Sequence, residues 1–112
     1  MSNPEQSPAR SDQADVFAAL GDVTRLGLIA TLSDGEARSI IQLADRFPLT
    51  RQAITKHLRV LEQAGIVRSE RTGRESHYAY LPGPIEKAGT YLKNVSLEWD
   101  DALSRLRTFV ER

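Results

Sequence analysis

Between residues 50 and 74 the chain carries Thr50, Arg51, Gln52, Thr55, Lys56, His57 and Arg59, followed by Arg71 and Arg74. These side chains are chiefly hydrogen-bond donors. The arginine fork fits the acceptor edge of guanine, and the glutamine amide fits adenine. Lysine, threonine and the free N–H groups at a helix N-terminus hold phosphate oxygens. The set therefore reads as chemistry for duplex DNA. Arg51 and Gln52 would meet base edges, Thr50 a phosphate, and Thr55, Lys56 and Arg59 a base or the backbone. Arg71 and Arg74 would meet phosphates or the minor groove. Charge is distributed to match. Fifteen basic residues balance fifteen acidic ones, so the whole-chain field is uninformative, but residues 51–74 hold six basic against two acidic. Residues 1–50 hold four against seven, and residues 75–112 five against six. Positive charge is concentrated where phosphates would be met.

His57 and His77 are the only histidines, and no motif sets a carboxylate, a serine or a third ligand beside them. Catalysis and metal ligation are not expected of them. His57 stands about 60° from the apolar face of its segment, as expected for a partly packed ring with one nitrogen near the backbone or DNA. The absence of cysteine removes disulfides, thiolate metal sites and thiol chemistry. There is no phosphate loop and no nucleophile elbow, so neither an enzyme nor a cofactor is expected. No apolar run approaches the roughly 18 residues of a membrane span, and Met1 to Gln13 is polar with Pro4 and Pro8, unlike a signal peptide. The expected location is cytoplasmic, without a membrane partner.

At 112 residues the chain has room for one domain. Residues 1–12 are expected as a disordered tail. Val16, Phe17 and Leu20 mark a short helix over Asp15 to Leu20, ended by Gly21. Asp22 can cap a second helix, with Leu28, Ile29 and Leu32 at helical spacing before Ser33-Asp34-Gly35. Ser39 precedes a third, carrying Ile40, Ile41, Leu43, Ala44 and Phe47 and closed by Pro48. Thr50 can cap a fourth, running to Ala64 and stopped by Gly65. Steps of about 100° put Ile54, Leu58 and Leu61 on one face of it and Gln52, Lys56, Arg59 and Gln63 on the other. A solvated polar face would show the same periodicity. The order of elements favours DNA, because a β-prone pair follows, Ile66 to Arg71 and Glu75 to Leu81 around Thr72-Gly73-Arg74. Helix, turn, helix and a hairpin with a basic tip would place the second helix in a major groove and the hairpin on the neighbouring backbone. Tyr78 and Tyr80 share a face of the second strand; packing on the helices is favoured over base stacking. After Pro82-Gly83-Pro84, Ile85, Ala88, Leu92, Val95, Trp99, Ala102, Leu106 and Phe109 alternate spacings of three and four. A helix of about 28 residues would be about 40 Å long, more than one small domain covers, so part of this face should meet another subunit.

Leu20-Gly21-Asp22-Val23-Thr24-Arg25, Leu43-Ala44-Asp45-Arg46-Phe47 and the run Ala53 to Val67 (AITKHLRVLEQAGIV) resemble the ArsR family, and Gly73-Arg74-Glu75 with Tyr78 resembles its wing. The resemblance covers Val16 to Leu81. It implies a mainly α winged helix-turn-helix fold with a small β-hairpin, in a bacterial or archaeal dimeric repressor released from its operator by an inducer. It also implies a homodimer interface built from the first and last helices, here Val16, Phe17 and Leu20 with Leu92, Val95, Trp99, Ala102, Leu106 and Phe109. Residues 13–82 would form the DNA-binding module, with a wing at 68–80, and residues 83–112 the dimerisation helix of the same domain. Ser39 and Ile41 occupy the positions of the family's metal-sensing Cys-x-Cys, and the last helix offers Glu98, Asp100 and Asp101 without a histidine. The chain therefore resembles the branch without metal ligands, and its inducer is unidentified. Arg51 and Gln52 also depart from the family's usual residues, so no operator sequence carries over. Trp99 reads as an interface anchor or, second, as a lining residue of an effector pocket between subunits. The competing reading is a winged-helix module that binds protein, against which the basic 51–74 segment argues.

Overall fold

The computed structural model describes residues 8–111. α1 (Pro8–Leu20) begins earlier than the apolar spacing predicts, because that stripe starts only near Asp15. Proline is well suited to the first helical position, where its missing N–H is no loss. Residues 8–12, expected in a disordered tail, are therefore helical; residues 1–7 lie outside the described residues. α2 (Val23–Leu32) is capped by Asp22, whose carboxylate accepts from Arg25 N at 3.0 Å. It buries Leu28 and Leu32.

β1 (Arg38–Ser39) was not expected from the sequence; two residues carry no periodicity to read. It pairs antiparallel with β3 (Glu75–Tyr80) at Arg38↔Tyr78 and Ser39↔His77. β3 also pairs with β2 (Val67–Thr72), so the expected hairpin is part of a three-stranded sheet of order β1-β3-β2. Thr72 faces Glu75 across the two-residue turn Gly73-Arg74, and Gly73 takes the positive φ of 64° that this tight hairpin requires. Tyr78 is buried and Tyr80 is packed against the core, as the sequence favoured.

Ser39 also starts α3 (Ile40–Ala44) in a reciprocal capping box with Gln42. α3 is shorter than its apolar spacing predicts. Beyond Ala44 the chain turns, with Phe47 N donating to Ala44 O at 3.3 Å, and the Phe47 ring lies against Gly27 of α2. A Cβ at Gly27 would come within 2.8 Å of that ring, so glycine makes the seat. α4 (Arg51–Gln63) is capped by Thr50, which accepts from Ala53 N at 3.1 Å. Its buried Ile54, Leu58 and Leu61 join Leu28, Leu32, Leu43, Ile66 and Val67 in one core. Arg51, Gln52, Lys56 and Arg59 face out.

α5 (Gly83–Val110) is 28 residues long. Only its start belongs to this core: Ala88 is buried, Ile85 packs beside it, and Tyr91 meets Phe17 with ring centroids 6.2 Å apart. The rest projects away, giving the chain extents of 68 × 34 × 22 Å. No described helix is long and apolar enough to cross a membrane.

Candidate nucleic-acid interface

α3, α4 and the wing tip enclose an open cavity of about 570 Å³. Arg51, Gln52, Thr55, Lys56 and Arg59 line one wall, Arg74, Glu75 and Ser76 the opposite one, and Ser39, Ile40 and Ile41 the floor. Positions 51, 52, 55, 56 and 59 converge because they occupy one face of α4, whose other face is held down by Ile54, Leu58 and Leu61. The turn at Gly73 then swings Arg74 across to meet them. Sequence reasoning missed Ser39, Ile40, Ile41, Glu75 and Ser76. The serine and isoleucines were read only as cap and core, although Ile41 is 41% exposed.

Three arginines elsewhere in the chain are in ion pairs, while Arg25, Arg46, Arg71, Lys87, Lys93 and Arg107, like the cations of this cavity, are in none among the described residues. Arg38, Arg68 and Arg105 are paired with Asp34, Glu70 and Asp101. Arg51, Lys56, Arg59 and Arg74 are in no salt bridge among the described residues. The one carboxylate in the wall, Glu75, contacts His77, with Oε2 and Nε2 3.2 Å apart. Four free positive charges around an apolar floor suit a polyanion with an apolar face between its charges, as in the edges and methyl groups of a DNA groove.

Three expected contacts stand apart from this arrangement. Thr50 spends its oxygen on the helix cap, leaving only its O–H for a phosphate. Arg71 lies opposite Ser76 in the wing register and so shares that face of the ribbon, without lining the cavity. His57 points elsewhere. Its Nδ1 is 3.2 Å from Arg25 Nη1 and 3.7 Å from Asp22 Oδ2, which places it, partly packed, among α1, α2 and α4 and outside the cavity lining. The backbone N–H of Arg25, and then the nearby Arg25 guanidinium, hold the Asp22 carboxyl below its ordinary pKa. Thr55 reaches the cavity, but its hydroxyl donates back to Arg51 O at 2.8 Å, leaving mainly its methyl group for a partner.

The expected interface residues divide in the same way. Val16 is buried in this chain's own core, while Leu20, packed on that core, and Phe17, against Tyr91 of the same chain, are half-buried. Ala102 and Val95 are half-buried, whereas Leu92, Trp99, Leu106 and Phe109 are exposed, Trp99 by 65% and Phe109 by 71%. Leu103 and Val110 are exposed beside them, and Leu97 is exposed on the other side of α5.

A helix-turn-helix domain family model matches residues 20–70, the span from the end of α1 into the wing. The HTH-type transcriptional regulator YuzN of Bacillus subtilis, itself uncharacterized, is 43% identical over 65 residues, covering 53% of this chain and 71% of that protein. The structure of an ArsR-like transcriptional regulator from Rhodococcus sp. RHA1 superposes with a TM-score of 0.83 at 38% identity, covering 90% of this chain and 92% of that one. The homodimeric winged helix-turn-helix DNA-binding domain of Mb0332 from Mycobacterium bovis, a possible ArsR-family regulator, shares the fold with a TM-score of 0.65 at 20% identity, over 93% of each chain. The chain belongs to the ArsR family of winged helix-turn-helix transcriptional regulators, a family of DNA-binding proteins and not of enzymes.

Proposed function

We propose that the protein binds an inverted-repeat operator as a homodimer and represses transcription by occluding polymerase, with release by an inducer of unidentified chemistry. The observation that carries this reading is the convergence of Arg51, Gln52, Lys56, Arg59 and Arg74, none of the cations neutralised, on one concave face. In this reading Arg51 and Gln52, in the first turn of α4, read base edges in the major groove. Lys56 and Arg59 take up base or backbone positions, Thr50 and the first N–H groups of α4 hold a phosphate, and Arg71 and Arg74 contact the backbone or minor groove beside it. Residues 13–82 are then the reading module and residues 83–112 the dimerisation helix, whose exposed Leu92, Trp99, Leu106 and Phe109 join the second copy.

The test is fluorescence anisotropy on duplexes selected from a random pool and on the fragment upstream of the protein's own gene, across a salt series. The expected result is a specific duplex bound at least about 10³-fold more tightly than scrambled DNA, with affinity falling steeply as salt rises. Arg51→Ala should erase most of that preference. Arg74→Ala should weaken all duplexes about equally and reduce the salt slope by about 1. Binding no tighter than to scrambled DNA at moderate salt would favour a winged-helix module for a protein partner instead.

A further inference from the structure

Arg25 spends every arm of its guanidinium inside the molecule. Nε donates to Ala19 O at 2.6 Å, a carbonyl at the end of α1, and Nη2 to Ala18 O at 3.3 Å, which also accepts from Gly21 N at 3.2 Å. Nη1 lies 3.2 Å from His57 Nδ1 on α4. A guanidinium only donates, so as a hydrogen bond this contact has Nδ1 as the acceptor. Asp22, which caps α2 through Arg25 N, stands 3.7 Å from the same Nδ1. One side chain from α2 thus joins the C-terminus of α1 to the middle of the reading helix.

The rest of α4 is seated by Ile54, Leu58 and Leu61, and apolar contact sets spacing without direction. Hydrogen bonds have direction. Among the described residues α4 has two such side-chain tethers to other elements: His57 to Arg25, and Glu62 Oε2, which accepts from Ser69 Oγ of the wing at 2.6 Å. The first leads toward α5, because α1 packs on it through Phe17 and Tyr91. In a dimer joined along α5, the attitude of α4 relative to α1 and α5 determines how far apart the two reading helices stand.

We infer that Arg25 is a positioning residue for DNA recognition: through His57 it fixes the reading helix to the end of α1, and so selects the half-site separation that the dimer accepts. This rests on the DNA-binding homodimer proposed above. The half-site returned by the random-pool selection supplies the probes: one duplex with a single half-site, and inverted repeats stepped one base pair at a time either side of about 10 bp between centres. Wild type should favour one separation by about tenfold or more over its neighbours. In Arg25→Ala and His57→Ala that preference should flatten to about twofold, while single half-site affinity stays within about twofold of wild type. His57→Asn, which sets an amide oxygen near the place of Nδ1, should restore the preference. Circular dichroism melts establish that each variant folds, and if Arg25→Ala does not, the two His57 variants decide. A wild-type spacing preference in His57→Ala, an equal loss on single half-sites, or a His57→Asn no better than His57→Ala would overturn the inference. A wild type that binds no duplex specifically would instead remove the DNA-binding reading, and this one with it.

Discussion

Arg38 crosses from the start of β1 to the turn after α2, and its fork meets Asp34 at 2.6 Å while Nη1 also donates to Thr31 O at 2.8 Å. The Arg38 hydrogen bonds, and then the Glu36 N–H, hold the Asp34 carboxyl at about 2 against an ordinary 3.8. Between those values the folded chain binds fewer protons than the unfolded one. The pair's contribution is therefore whole above an unfolded carboxyl pKa of about 4 and is lost as pH falls through about 2. Denaturant melts of Asp34→Asn should show a shallower loss of stability over that window than wild type; parallel curves would refute the assignment. The cavity side chains Arg51, Gln52, Thr55, Lys56 and Arg59 were legible because one apolar stripe fixes where the opposite face of a helix must be. His57 was legible as partly packed, but what it packs against was not, because it stands at the margin of that face, where angle alone does not decide. Its partners Asp22 and Arg25 are far away in sequence.

α4 ends where its backbone has no choice. Ile66 N donates to Leu61 O at 2.9 Å and Gly65 N to Glu62 O at 3.0 Å, the paired bonds of a Schellman cap, with Gly65 at a φ of 76°. A Cβ at Gly65 would find only ordinary contact with Pro84, so Gly65→Ala should cost about 1–2 kcal/mol through its backbone conformation. The reading is a chemical melt. Leu58→Ala, emptying a fully buried position in the same helix, should cost about 2–5 kcal/mol. The four main helices, their caps and the hairpin were readable because each has its own periodicity or its own stop residue. β1 and the shortness of α3 were not. β1 exists only through its pairing with β3, and α3 yields to a turn because Phe47 finds its seat on Gly27, a tertiary contact without local trace.

At the scale of the whole molecule, Leu92, Trp99, Leu103, Leu106 and Phe109 set exposed apolar side chains along one side of α5, the mark of an interaction surface. A second copy seated on it would bury that face and present two reading helices to one duplex. Trp99→Asp with Leu106→Asp should therefore shift sedimentation from dimer to monomer and cost at least about tenfold in affinity for an inverted repeat. Unchanged sedimentation would exclude this face as the interface. The heptad stripe of α5 was legible as an apolar face, whereas the sequence could not tell that Val16 is buried in its own chain's core, since the same spacing marks a core and an interface. The central claim is that duplex DNA lies between α4 and the wing. Amide hydrogen exchange with and without the selected duplex tests it most directly. Added protection should fall on Ser39 to Ile41, on Arg51 to Arg59 and on the wing tip around Arg74, and leave Leu92 to Phe109 unchanged; protection confined to α5, or absent from the first turns of α4, would contradict it.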